Sequence, residues 1–251
     1  MKKLLLIGIL LGLAMLVSCD KTKNGKNDNG HLSFKINNVV GNDLMQLQSG
    51  NYINAAGNHF TINKYAYYLS NFELIKEDGS VFKIPDSYVL INESEPESKN
   101  FKFSDIPRGD YTSLRLVLGV DSTRNVSGAQ SGALDPIHGM FWDWNTGYIM
   151  AKMEGFSPES GGAANIISFH LGGYDGRYSA VKSVEFPLNP VLKIDKSNSP
   201  TITLQSDLLT WFDGFPALDF ATTPSVMSIG SESFDLSERY KNHLSVQQVE
   251  N

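Results

Sequence analysis

The sequence predicts an all-β protein, namely an antiparallel β-sandwich of the immunoglobulin-like or Greek-key type with long loops. Three observations point to this fold class. Short segments of alternating apolar and polar residues recur along the chain, and Gly, Pro, Asn and Asp separate them. Helical periodicity is weak and lies mostly near the C-terminus. The 251 residues are enough to bury one hydrophobic core.

The predicted strands follow one another from residue 31. In HLSFKIN, Leu32, Phe34 and Ile36 alternate with polar residues, which is typical of a half-buried strand. Further segments predict strands in the order YAYYLSNFELI, SVFKI, SYVLI, FKFSDI, YTSLRLVLGV, GYIMAKMEG, NIISFHLGG, AVKSVEFPL and PTITL.

One or two short helices are expected near the C-terminus. LQSDLLTWFDG could hold the first of them. The second is indicated by Leu236, Tyr240 and Leu244, which recur at helical spacing behind Ser233, a candidate N-cap.

The first residues predict export and lipid attachment. Two lysines precede a short apolar run that ends in LVSC, the form of a bacterial lipobox. We therefore expect a lipoprotein signal peptide over residues 1–18, a lipidated Cys19 with a polar spacer over 19–30, and the folded domain over 31–251. The protein would then be exported to the cell envelope and held at the inner or outer membrane by its lipid.

Composition and missing motifs exclude several functions. The net charge is −6 and no basic cluster is present, so nucleic acid is not an expected partner. Cys19 is the only cysteine, which excludes disulfides, a second thiol and a cysteine-based zinc site. The sequence has no G-x-S-x-G, H-E-x-x-H, P-loop or G-x-G-x-x-G motif. We therefore expect no enzyme activity from this chain by itself.

Three histidines are candidate metal ligands, because imidazole is a common copper ligand in proteins without free thiols. His170 lies in the NIISFHLGG strand on the face opposite Phe169, and two glycines follow it that would let another loop approach closely. His138 lies in a loop four residues before Trp142, and His31 begins the first strand. For His138 and His170, a hydrogen-bonded core histidine is the alternative interpretation.

Two of the three tryptophans, Trp142 and Trp144, lie within the stretch DPIHGMFWDWNTGY. In an extended segment they would project from the same face. Paired indoles can pack a core, stack on a sugar ring, or lie close enough to a metal or an oxidant to be chemically modified.

The order of these motifs resembles the MbnP-like family of periplasmic copper-binding proteins, first associated with methanobactin operons. The family pattern is matched by the DP…GM-W-x-W-x-x-GY stretch and by the H-L-G strand that contains His170. Three further segments match it: a YYLSN-type strand (67–71), an "lGv…N" segment (118–125) and an N-x-L-S-V tail (242–246).

The resemblance implies a β-sandwich that binds one copper ion and has a di-haem partner enzyme of the cytochrome c peroxidase kind. In members of this family the partner oxidises a tryptophan to kynurenine, for which Trp142 and Trp144 are the candidates here. His170 matches a histidine of the family pattern. One subgroup has a histidine after the asparagine of "lGv…N" and four cysteines, whereas here Val126 follows Asn125 and the domain has no cysteine.

A second interpretation requires no metal. The chain would then be a structural, glycan-binding or protein-binding surface lipoprotein. Trp142, Trp144, Tyr148 and Tyr174 would form either its core or a platform for sugar rings.

Overall fold

The computed structural model describes residues 29–128, 130–142, 144 and 147–251. The expected signal peptide, Cys19 and nearly all of the expected spacer lie outside these residues and stay predictions. In the part of the chain that the structure describes, no helix combines the length and the apolar character needed to cross a membrane.

The described chain is mostly β, as the sequence predicts. Its two α-helices are α1 (Ser122–Val126) and α2 (Ser231–Tyr240). The strands are β1 (Gly30–Val40), β2 (Asp43–Leu44), β3 (Tyr52–Ile53), β4 (His59–Ile75), β5 (Val81–Lys83), β6 (Tyr88–Asn92), β7 (Asn100–Ile106), β8 (Gly109–Leu118), β9 (Phe141–Trp142), β10 (Gly147–Phe156), β11 (Ile166–Gly172), β12 (Lys182–Ile194), β13 (Thr201–Asp207), β14 (Ser225–Val226) and β15 (Leu244–Glu250).

The strands form two sheets. The smaller sheet has the order β15-β13-β1-β2, with β7 also paired to β1. The larger sheet has the order β12-β8-β4-β10-β11-β14, and β3, β5, β6 and β9 pair with its central strands.

Both sheets are mixed, so the expectation of a purely antiparallel fold is wrong. β1 pairs with β13 in parallel, and so does β11 with β14. Parallel neighbours need a long connection, and in each case the intervening chain is long enough to provide one. The immunoglobulin-like or Greek-key connectivity stays a prediction.

Side chains of the two sheets meet in one buried core, and the sandwich arrangement itself stays a prediction. Tyr65 of the larger sheet lies 2.9 Å from the Ser206 hydroxyl of the smaller one. Tyr67 donates a hydrogen bond of 2.8 Å to Asn38 on β1. These hydroxyls are satisfied across the sheet interface, so the tyrosine rings can be buried without leaving polar groups unpaired.

The helices differ in part from the sequence prediction. α2 lies near the C-terminus as expected, but it begins at Ser231, so Ser233 is not its N-cap. The Ser233 hydroxyl instead bonds both the backbone N–H and the C=O of Gly172, at 2.9 Å each. The segment expected to be the other helix ends β13 and continues as a 3-10 helix over Leu208–Trp211.

Candidate functional site

The outer face of the larger sheet is the face turned away from the smaller sheet, and it carries polar residues at its centre. Lys152 of β10 lies between Ala66 of β4 and His170 of β11. In the next row, Glu154 lies between Lys64 and Ser168. Strand alternation explains this placement, because the intervening residues point into the core.

A covering segment, made of the described residues between 120 and 147, packs over this outer face. Buried Asn125 holds its first part, since the Asn125 amide donates to the carbonyls of Val120 and Asp121 at 2.6 and 3.0 Å. The Asn125 side-chain oxygen accepts the backbone N–H of Tyr148 at 2.9 Å. The asparagine of the "lGv…N" motif therefore ties α1 to the start of β10.

His170 is paired with a carboxylate. Its Nε2 lies 2.8 Å from Oε1 of Glu154, and only 7% of the His170 side chain is exposed. The hydrogen bond from His170 holds the pKa of Glu154 below its usual value, although burial opposes this shift. The charges of His170, Lys152 and Lys64 lower the pKa of Glu154 further.

Lys152 connects the covering segment to the sheet. Its buried Nζ donates to the carbonyl of Gly139 at 2.5 Å. Burial lowers the pKa of Lys152, and the nearby charge of Lys64 adds to this effect, while Glu154 opposes it. The bond places the turn at His138 and Gly139 over the strand that neighbours His170.

His138 ends a short 3-10 helix, Pro136–His138, and is half-buried. Gly139 follows with φ of +67°, a conformation that glycine adopts without strain. The Nε2 of His138 lies 3.0 Å from the carbonyl of Gly132. The structure thus brings the segment with His138 to the face that carries His170, with each imidazole bonded to its own neighbour.

His31 lies apart from this face. It is a residue of β1 in the smaller sheet, at an irregularity in the pairing with β7. Packed sheets are about 10 Å apart, and the His170 side chain points away from the smaller sheet. The structure therefore does not bring His31 together with His170.

Trp142 packs against the strand that carries His170. Its ring is almost fully buried and lies on Gly172, where an added Cβ would come within 2.0 Å of Cζ3. This geometry confirms the close approach that the glycines after His170 predict.

Trp144 lies on the surface of the covering segment. Its side chain is 68% exposed, and its ring centroid is 5.4 Å from that of Trp142, at an interplanar angle of 41°. The W-x-W motif therefore consists of one buried and one exposed indole in mutual contact. The residue between them, Asp143, lies outside the described residues.

The charged partners of His170 are not among the residues that the sequence predicts for the site. Lys152 and Glu154 alternate within the otherwise apolar segment GYIMAKMEG, and this alternation was the signal that could have identified them. Their contact with His170 depends on the register of two strands.

The outer face offers copper an incomplete set of ligands. Among the described residues, no group of three or more His, Cys, Asp or Glu side chains could hold a metal ion. The His170–Glu154 pair nevertheless has the form of a metal-ligating histidine with a carboxylate on its other nitrogen. These residues fit one imidazole ligand, and His138 is the candidate for a second.

Comparisons with known proteins agree with the motif order. The sequence profile of the MbnP family matches residues 29–228. A solved structure, "MbnP from Methylosinus trichosporium", is 14% identical, with 81% of this chain and 83% of that chain covered and a TM-score of 0.49. Among curated proteins, none matches. Since the family profile covers most of the sequence, the chain belongs to the MbnP family.

Proposed function

We propose that this chain is a lipid-anchored protein of the cell envelope that binds one copper ion at the outer face of the larger sheet, with His170 as the principal ligand. The observation that carries the proposal is the pair of buried His170 and half-buried Glu154 beside the W-x-W motif. Membership of the MbnP family supports copper as the metal. The chain would act as a copper-binding protein and not as an enzyme.

His138 is the second proposed ligand. Its turn is already attached to the outer face through Lys152 and Gly139. If the His138 ring must turn to reach the metal, opening its exposed bond to Gly132 costs about 1 kcal/mol. Copper would supply a redox-active centre. His31 has no role in this arrangement.

A di-haem enzyme of the cytochrome c peroxidase kind is the proposed protein partner. Trp144 is exposed and touches Trp142, so an external oxidant could withdraw electrons from the surface indole and reach the buried one through it. Either indole could then be converted to kynurenine. Loss of four electrons to the partner, with two oxygen atoms added from water, would open the ring to N-formylkynurenine, and hydrolysis would release the extra carbon as formate. The membrane would be reached through the lipid on Cys19.

Copper titration of the metal-free protein tests the proposal. We expect one tight site in the wild type and a loss of at least roughly 100-fold in affinity for His170→Ala. His59→Ala is the matched control, because His59 is an exposed histidine paired with Glu159 elsewhere on the molecule. Equally weak binding by the wild type and His170→Ala would overturn the copper proposal.

The mass of the peptide that contains Trp142 and Trp144 tests the modification. After expression beside a di-haem enzyme of this kind, the peptide should have the mass of the kynurenine form. An unchanged mass together with tight copper binding would remove the modification from the proposal and leave the metal site intact.

A second candidate function is the binding of a glycan or a protein without a metal. It is favoured by the exposure of Trp144 and by a neighbouring cleft of about 400 Å³ whose lining includes Tyr174, Arg177 and Tyr178. The cleft begins at Gly173, next to the glycine under Trp142. Glycan-array binding that disappears in Trp144→Ala and does not respond to copper would support this function.

A further inference from the structure

We propose that the cleft lined by residues 173–178 and 229–230 is a saccharide-binding site. Tyr174 is the ring on which the sugar stacks, and Asp175 and Arg177 bond to its hydroxyl groups. This inference rests on the second candidate function, glycan binding without a metal, and names the site and the class of ligand. It does not depend on copper.

Of the four aromatic residues that could form a sugar platform, the structure buries two. Trp142 and Tyr148 are 6% and 1% exposed, and the Tyr148 hydroxyl donates to the carbonyl of Leu134. Trp144 lies on the surface of the covering segment, whereas Tyr174 is half-buried in the wall of the cleft. Small ligands bind mostly in concave sites, because such sites can surround them. The cleft at Tyr174 is therefore better suited to a sugar than the exposed indole alone.

The two walls of the cleft are fixed to each other. Residues 173–180, the loop after β11, provide one wall, and residues 229–230, just before α2, provide the other. The loop is closed by the backbone N–H of Ala180, which donates to the carbonyl of Gly173 at 2.9 Å. The walls meet at Gly173, where an added Cβ would lie 2.8 Å from Cγ2 of Ile229. A cleft that is formed in advance loses little conformational freedom when a ligand binds.

Asp175 and Arg177 line the cleft with free hydrogen-bonding groups. In the part of the chain that the structure describes, neither side chain has a hydrogen bond or an ion pair, although the two residues are close in sequence. The guanidinium of Arg177 lies 4.4 Å from the ring centroid of Tyr178, and this contact leaves its N–H groups available. A carboxylate accepts and a guanidinium donates hydrogen bonds. Neighbouring hydroxyl groups of a sugar can do both, so they complement this pair.

Tyr174 provides the apolar contact. Among the described residues its ring packs on no other aromatic ring, whereas that of Tyr178 is in contact with Arg177 and Phe234. A pyranose has a face made of C–H groups, which packs on an aromatic ring while its hydroxyl groups point outward. Ile229, which is 46% exposed, adds apolar surface to the opposite wall. The cleft thus combines an apolar surface with polar groups at its side, as a sugar requires.

A second cleft, beside the C-terminal half of α2, differs in this respect. Its Arg239 already donates to the carbonyls of Asp213 and Pro216, at 2.7 and 3.0 Å. Its Glu238 is paired with two lysines. A ligand there would have to replace these bonds, whereas Asp175 and Arg177 can bind one without losing a partner.

Saturation-transfer NMR of the metal-free, full-length protein tests the inference. The probes are the methyl glycosides of glucose, galactose, mannose and N-acetylglucosamine, with glycine as a charged non-sugar probe. We expect at least one sugar to bind with an affinity that copper does not change. Asp175→Ala and Arg177→Ala should each weaken binding roughly 10-fold, the usual effect of losing a hydrogen bond to a charged group. Asp110→Ala is the matched control, because Asp110 is an exposed aspartate without a bond to a described residue, at the start of β8.

Two substitutions of Tyr174 separate its ring from its hydroxyl. Tyr174→Phe should retain most of the affinity and Tyr174→Ala should abolish binding, while Trp144→Ala should bind as the wild type does. Unchanged binding in Asp175→Ala and Tyr174→Ala would overturn the cleft as the site and leave glycan binding as a candidate function. Binding of glycine and of no sugar would overturn the class of ligand. The absence of binding by every probe would overturn both the site and the glycan function.

Discussion

Gly172→Ala should destabilise the protein because it removes the space that Trp142 occupies. The new Cβ would lie 2.0 Å from Cζ3 and 2.2 Å from Cη2 of the indole, whereas carbon atoms normally pack about 3.5–4.0 Å apart. The ring must therefore move by more than about 1 Å and lose much of its packing. Complete removal of a buried Trp or Phe side chain costs about 3–5 kcal/mol, and the stiffer alanine backbone recovers up to about 1 kcal/mol. We expect a loss of about 3 kcal/mol.

Urea unfolding followed by circular dichroism measures this loss, and tryptophan fluorescence should shift to the red as Trp142 becomes exposed. The control is the same glycine substitution in a Trp142→Ala background. There the clash is absent, so Gly172→Ala should be nearly neutral and the two changes strongly non-additive. A single variant as stable as the wild type, or an equal loss in both backgrounds, would refute the packing argument.

Three further predictions concern buried polar groups. Burial lowers the pKa of His243 to about 3, so the folded protein holds it neutral; its contribution to stability is present above about pH 6.5 and is lost as pH falls toward 3. His243→Asn should reduce the slope of the unfolding free energy against pH by up to about 1.4 kcal/mol per pH unit. Urea unfolding midpoints between pH 7 and 4 measure this slope. Tyr67→Phe should cost about 1–2 kcal/mol, because Asn38 loses a buried partner; thermal unfolding would measure it, and an unchanged midpoint would contradict it. Asn125→Ala should cost about 2–4 kcal/mol and increase hydrogen exchange at the Tyr148 amide, whereas unchanged exchange would show that this bond is not made.

The alternation of residues along a strand predicts which side chains share a face of the sheet, because it depends only on residues that are close in sequence. In NIISFHLGG, it placed His170 opposite Phe169, and the following glycines predicted the approach of Trp142. The partner of His170 could not be predicted in this way, since Glu154 reaches it only through the register of β10 and β11.

Non-local pairing also explains the other differences. Nothing near His31 indicates that its strand belongs to the smaller sheet, because β1 meets its neighbours from distant parts of the chain. The sequence predicts only a motif tail near residues 242–246, whereas the structure has the strand β15 there, paired with β13 in the smaller sheet.

The position of β1 has a consequence for how the protein folds. The first strand pairs with β13, and β13 in turn pairs with β15, so the smaller sheet is completed only by the last residues of the chain. Contacts of such long sequence separation form slowly and leave strand edges open in the meantime. Until β13 and β15 are available, Tyr65 and Tyr67 lack much of the surface that covers them. We therefore expect the chain to expose open strand edges until β13 and β15 are available, and a chaperone that shields such edges to raise its folding yield.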